Sequence, residues 1–343
     1  MWDETPPLSA LQDALADPTH PIGMRMRAAY FLRHLHTTEP DLQPEIVMTL
    51  TMGLADERHG SLMRHEFAYV MGQLRDERCC PTLEEILQRD SDCVMVRHEA
   101  AEALGAIGSS RSKAVLQKVA ESTNERPELT ETCRIALDLM EWRASGEHPE
   151  NMPAVCACMI SPYSSVDPAP PNPLHEHLNI NDLGNILCDT NQPMFERYRA
   201  MFSLRNRGGE DAVRELCRAL TTDSSSALLR HEVAYVLGQL QHPSSVEALE
   251  ESLRRVDEHK MVRHESAEAL GAIDGRWQDV EKILNEFSQD GNDVVRESCL
   301  VALDAADYWG HNKATDEPNH ESLSFAQQKA DQVLVKNHFN IKT

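Results

Sequence analysis

The sequence predicts an all-α fold: a helical-repeat superhelix in two pseudo-symmetric halves of four helix pairs each. Three observations carry that expectation. The phrase Arg-His-Glu-x-Ala occurs four times, at Arg64-His65-Glu66, Arg97-His98-Glu99, Arg230-His231-Glu232 and Arg263-His264-Glu265. His65 and His98 lie 33 residues apart, His231 and His264 again 33, and the first pair maps on the second after 166 residues. Between these phrases, apolar residues recur at i, i+3, i+4 spacing. A unit of thirty-odd residues built this way cannot bury its apolar face without a neighbour.

Taken in order, a short helix is expected within residues 1–18, ending near Asp17-Pro18, followed by a helix over 20–36. The next pairs are 41–54 with 60–75, 79–90 with 93–107, and 110–122 with 126–142, where Gly72, Gly105, Gly108 and Asp76-Glu77-Arg78 read as turns. Residues 144–175 contain Pro149, Pro153, Pro162, Pro168, Pro170, Pro171 and Pro173 and read as an extended linker. The second half replays the first: RYRAMFSLRNR from Arg197 repeats RMRAAYFLRHL from Arg25, at an offset of 172. Helices follow near 209–221, 225–240, 243–256, 258–273, 275–288 and 291–307. The expected division is 1–143, linker 144–175, second half 176–310, and a polar tail 311–343.

Composition narrows the function. A formal charge of −23 argues against nucleic acid and anionic membrane surfaces as partners and favours a basic one. No apolar run reaches the length of a membrane span, and the N-terminus MWDETPPLSALQDAL lacks the basic region of a signal peptide. The nine cysteines form no Cys-x-x-Cys pair, so reduced thiols in a cytoplasmic protein are expected.

The direction of the histidines decides the rest. In the 93–107 helix the apolar stripe runs through Val96, Ala100, Ala103, Leu104 and Ile107. At about 100° per residue, His98 lies roughly 200° from Val96, away from the inter-helix core, with Glu99 at the stripe's border. The same holds around His65, His231 and His264. Stacking needs small and apolar residues but no histidine at such a position, whereas the lone His175-Glu176 and His320-Glu321 read as solvated surface pairs. If the halves face one another across a pseudo-twofold axis, the four pairs converge on one pocket. Two imidazoles and a carboxylate per ion form a facial triad suited to non-haem Fe(II), and the lack of cysteine argues against structural zinc.

The eight-unit array, with Arg-His-Glu in the second and third units of each half and flanking text such as VMVRHEAAEALGAI, resembles the deoxyhypusine hydroxylase family over nearly the whole chain outside linker and tail. The resemblance implies a HEAT-like repeat fold with a dinuclear iron centre. It implies a monooxygenase that hydroxylates the deoxyhypusine side chain of the translation factor known for hypusine, using dioxygen and two Fe(II) per chain. Carried over by motif, the metal residues are His65, Glu66, His98, Glu99, His231, Glu232, His264 and Glu265. Glu66 and Glu232 are expected as the firmer ligands, and Glu99 and Glu265 as holders of substrate.

One helical turn on, Tyr69 and Tyr235 follow His65 and His231, and Glu102 and Glu268 follow His98 and His264. They share the histidine face. The glutamates are expected to orient imidazole or to bind a substrate amine; Met95 and Met261 are expected to pack. Two other classes stay open on sequence alone: a dinuclear metal hydrolase on the same scaffold, and an interaction scaffold in which the His-Glu pairs have no chemistry.

Overall fold

The computed structural model describes residues 5–145, 163, 165–273 and 275–309, and among them every regular element is helical. Eight helices fill the first half: α1 (Leu8–Ala16), α2 (Ile22–Thr38), α3 (Gln43–Ala55), α4 (Gly60–Leu74), α5 (Cys80–Gln88), α6 (Val94–Ile107), α7 (Lys113–Ala120) and α8 (Pro127–Ala144). Eight more follow: α9 (Ile180–Cys188), α10 (Met194–Arg207), α11 (Gly209–Thr222), α12 (Ala227–Leu240), α13 (Val246–Arg254), α14 (Lys260–Ala272), α15 (Trp277–Phe287) and α16 (Asp293–Trp309). Four pairs per half is the repeat count that the periodicity predicts. The tail from 311 and much of the expected linker lie outside the described residues.

The described chain divides into two compact units, the first running to Leu137 within α8 and the second from Asp138 onward, with Val166 belonging to the first. Each unit has two layers. In the first, the even-numbered helices α2, α4 and α6 pack side by side in one layer (the inner), and α1, α3 and α5 (the outer) each back the helix that follows. The second unit repeats this with α10, α12, α14 and α16 in one layer and α9, α11, α13 and α15 in the other.

Local chemistry sets the helix ends. Asp56 and Asp76 accept the backbone N–H two residues on, opening a short 3-10 turn before α4 and α5. Pro44 and Pro81 occupy first-turn positions, where no N–H is needed. Gly108 closes α6 in the left-handed region at φ 75°, as its reading as a turn requires.

Gly72 and Gly105 are not turn residues. They sit inside α4 and α6, where a Cβ at Gly72 would lie 2.8 Å from the Ala103 Cα, and one at Gly105 would lie 2.7 Å from the Ala136 Cβ. Gly238 meets Ala269 in the same way at 3.1 Å. The glycine–alanine notch lets successive helices of the inner layer approach closely, a packing demand that a search for turn residues misreads.

The arginine of each repeated phrase is a staple. Arg64 Nε donates to the Leu54 carbonyl at 2.8 Å, and its two terminal nitrogens donate to Asp92 at 2.7 and 2.6 Å. Arg97 does the same with the Leu87 carbonyl at 2.9 Å and Glu125 at 2.6 Å. Arg263 uses the Leu253 carbonyl and Asp290, and Arg197 the Leu187 carbonyl and Asp223. Arg230 donates to Glu258 at 2.9 and 2.6 Å. Each therefore ties its own helix to the turn between two paired helices, and these arginines are buried or nearly so.

The end of the expected linker is not a passive spacer. Asp167 forms a bidentate pair with the fully buried Arg205 at 2.8 and 2.6 Å, and the guanidinium lies 4.9 Å from the Tyr163 ring centre. The Val166 N–H donates to Gln73 Oε1 at 2.8 Å. His175, expected on the surface, is buried: the Ser203 hydroxyl donates to the Arg199 carbonyl and so accepts from His175 Nδ1–H at 2.9 Å. Burial pushes the His175 pKa down, keeping the ring neutral. Among described residues all cysteines are free, and burial pushes the thiols of Cys133 and Cys299 up to about 12, leaving them inert.

Two predictions follow from this packing. Alanine normally favours a helix over glycine by about 1 kcal/mol, yet at Gly105 the added methyl would meet backbone as well as side chain of α8. Gly105→Ala is therefore expected to destabilise by about 1–3 kcal/mol, read as a lower thermal midpoint; a raised midpoint would show that the inner helices can part freely. For Asp92, burial raises the carboxyl pKa but the Arg64 bonds and charge outweigh it, so the net shift is downward, as it is for Asp223, Glu258 and Asp290 beside their own arginines. A depressed folded-state pKa gives stability that is complete above the unfolded value, about 4, and lost as pH falls through the folded value. Asp92→Asn should lower stability at pH 7 by about 3 kcal/mol and flatten the acid limb of the midpoint-versus-pH curve. An identical acid limb in the variant would remove this pair from the account.

Candidate metal sites

In the first unit, α4 presents His65 and Glu66 and α6 presents His98 and Glu99, at matching positions on adjacent helices. All four side chains are buried, with His98 fully so. The angular reading places them off the apolar stripe, and the structure agrees. Lying off the stripe does not leave them in solvent: these side chains are buried between one even-numbered helix and the next.

The distances define a compact donor set. His65 Nε2 is 3.1 Å from Glu99 Oε2, and His98 Nε2 is 3.7 Å from the same oxygen. Ligand atoms of His65, His98 and Glu99 all lie within 4.8 Å of one another. The imidazole rings are 5.6 Å apart, centre to centre, and tilted by 34°.

The neighbours fix the tautomers. The Thr132 hydroxyl donates to the Glu128 carbonyl at 2.8 Å, so at 3.4 Å it is placed to accept from His98 Nδ1–H. His65 Nδ1 lies 3.1 Å from Glu66 Oε1, and Tyr30 donates its hydroxyl to Glu66 Oε2 at 2.8 Å. In both imidazoles Nδ1 is the proton-bearing side, which turns Nε2 towards Glu99. Burial works against a charge on His65, but Glu99 and Glu66 outweigh it and hold the ring's pKa well above its ordinary value. A divalent cation at Nε2 would replace that proton.

The second unit repeats the plan with differences. On α12 and α14, His231 Nε2 lies 3.5 Å from Glu265 Oε2, and the His231 and His264 ring centres are 5.3 Å apart. His264, Glu265 and Glu268 form the candidate ligand group within this unit. Glu268 Oε1 accepts from the Ser298 hydroxyl at 2.8 Å and lies 3.6 Å from His264 Nδ1.

The carboxylates differ in which imidazole nitrogen they face. Glu99 and Glu265 each face the imidazole Nε2 of the preceding repeat, whereas Glu66 engages the Nδ1 side of its own neighbour. Glu232 is buried and Glu102 half-buried on the same helices. Tyr69 packs edge-on against Tyr30, Tyr235 accepts from Gln239, and Met95 and Met261 are buried as packing residues. Tyr30, Thr132 and Ser298 were not among the expected residues. Their signal is register: Tyr30 is to Arg25 what Tyr69 is to Arg64, and Thr132 and Ser298 precede the matched Cys133 and Cys299.

Fold and site together define a helical-repeat protein with buried histidine–carboxylate clusters in the second and third repeats of each half. The sequence matches the family of HEAT repeats at residues 48–137, 180–257 and 223–304. Deoxyhypusine hydroxylase of Mus musculus is 44% identical over 301 residues, spanning 88% of this chain and 92% of the relative. That of Chaetomium globosum is 40% identical over 318 residues, spanning 89% of each. The solved structure of human deoxyhypusine hydroxylase in complex with glycerol is similar with a TM-score of 0.77 and 41% identity, covering 88% of this chain and 96% of that one. The chain belongs to the deoxyhypusine hydroxylase family.

Proposed function

We propose that this protein hydroxylates the deoxyhypusine side chain of the hypusine-containing translation factor in the cytoplasm, using dioxygen, two electrons and two protons drawn from an external reductant and water, and two non-haem irons acting as a dinuclear centre; one oxygen atom enters the C–H bond and the other leaves as water. The observation that carries the reading is the buried set His65, His98 and Glu99, two imidazoles and a carboxylate with ligand atoms within 4.8 Å, repeated in plan around His231, His264 and Glu265. Family membership supplies the substrate. No described helix is long and apolar enough to cross a membrane.

The donor set fits iron. Neutral imidazole and carboxylate suit a borderline divalent ion, and three protein ligands per ion leave positions open. Bound iron would supply the dioxygen chemistry needed to break an unactivated C–H bond, which acid–base groups alone cannot do. The chain's own residues do the rest. His65 and His98 offer their Nε2 lone pairs, Glu99 neutralises part of the cation's charge, and the same is assigned to His231, His264 and Glu265. Glu232 stands beside the ligands, with Glu102 and Glu268 a turn along, as carboxylates able to pair with the amines of a polyamine-like side chain. The net charge of −23 draws a basic protein substrate towards the enzyme.

Protein made with iron should contain about two ions per chain and, supplied with dioxygen and a two-electron reductant, add one oxygen to a deoxyhypusine-bearing substrate, read by intact mass. His98→Ala should lose most of one iron and at least about 100-fold in rate. Full iron content in that variant would remove His98 from the site, and iron-free protein with full activity would end the oxygenase reading.

A further inference from the structure

The two halves share their histidines and glutamates, but not what stands behind them. Tyr30 on α2 donates to Glu66 Oε2 at 2.8 Å, Glu66 Oε1 lies 3.1 Å from His65 Nδ1, and His65 Nε2 lies 3.1 Å from Glu99 Oε2. Phenol, carboxylate, imidazole and carboxylate thus form one line across three successive inner-layer helices. With both oxygens engaged, Glu66 is held against rotation. Its grip on Nδ1–H then fixes the ring's tautomer and the direction of its Nε2 lone pair.

At the place of Tyr30 the second half has Phe202, by the same offset of 172 that relates Arg25 to Arg197. The Phe202 ring packs under the Arg205 guanidinium at 4.6 Å and against Tyr198 at 6.5 Å. It has no hydroxyl to offer a carboxylate.

We propose that Tyr30 is a positioning residue that tightens metal binding at the first-half cluster alone, so that the two ions of one chain are held by chemically unequal sites. Tyr30 touches neither ion nor substrate; it acts through Glu66 on His65. Glu66 is on this view an outer partner of the imidazole, and Glu99 the ligand. The inference rests on the iron reading above, and its test separates the two.

Metal-free full-length protein is titrated with Fe(II) under anaerobic conditions, following bound ions by calorimetry, with the thermal midpoint of the metal-free form measured alongside. Wild-type protein should take up two ions. Tyr30→Phe keeps the ring that packs against Tyr69 and should weaken one of the two binding steps by about 10- to 100-fold, leaving the other step unchanged; the metal-free midpoint should fall modestly, because buried Glu66 loses a donor, with the metal-free fold retained. Glu66→Gln should weaken the same step, and adding Tyr30→Phe to it should do no further harm, because the two side chains act in series. Phe202→Tyr should leave the step lost in Tyr30→Phe untouched. Unaltered binding of both ions by Tyr30→Phe overturns the proposal while the iron reading stands, as does equal weakening of both steps. Failure of wild-type protein to bind Fe(II) overturns both.

Discussion

A buried or nearly buried arginine precedes every one of the four site histidines, and each binds acid or carbonyl groups of a neighbouring segment. Because Arg64 and Arg97 reach both the end of their own outer helix and an acid in the turn ahead, they fix how far each inner helix slides against the next. The site depends on that register. Donor atoms that must share an ion tolerate displacements well under 1 Å, and His65 and Glu99 belong to different helices. The glycine–alanine notches at Gly72 and Gly238 set the second coordinate, the distance between those helices. Register and approach are therefore both specified by residues that never touch a metal.

The same arrangement explains how so much polarity survives burial. An unpaired buried polar group costs one to several kcal/mol, and an unpaired charge more. Here the imidazole and carboxylate partner each other: Glu99 between two rings, Glu66 between a phenol and a ring, Glu268 between a serine and a ring. A helix interior ordinarily disfavours such groups, but a stacked repeat supplies partners from helices on either side. The polar face then becomes a second packed interface, running along the inner layer opposite the apolar one.

Much of this was legible in the sequence because it repeats. Periodicity gave the helix pairs, the four His-Glu positions and the side of the helix they occupy. What stayed hidden falls where a residue's meaning depends on a partner distant in sequence. Gly72 and Gly105 read as turns because glycine has two uses, and only Ala103 and Ala136 decide between them. His175 reads as surface because its partner Ser203 lies on the next helix. The division of carboxylates between ligand and support turns on which imidazole nitrogen each one faces, and spacing along a helix carries no information about that. Tyr30 was recoverable from register alone, but only once its equivalence with Tyr69 was treated as a question about function.

The placement of the four phrases in the second and third repeats of each half follows from the same reasoning. His65 is oriented through Glu66 by Tyr30, a residue of the first repeat, and His98 is faced by Thr132, a residue of the fourth. In the second half Ser298 of the last repeat holds Glu268 against His264. An end repeat has a neighbour on one side only and so could receive support from one direction. In the first half, two adjacent histidines, each braced from outside the pair, require at least one repeat beyond them at either end, and four helix pairs is the smallest stack that provides this. In the second half the brace from the last repeat is kept, while the first repeat carries Phe202 in place of Tyr30.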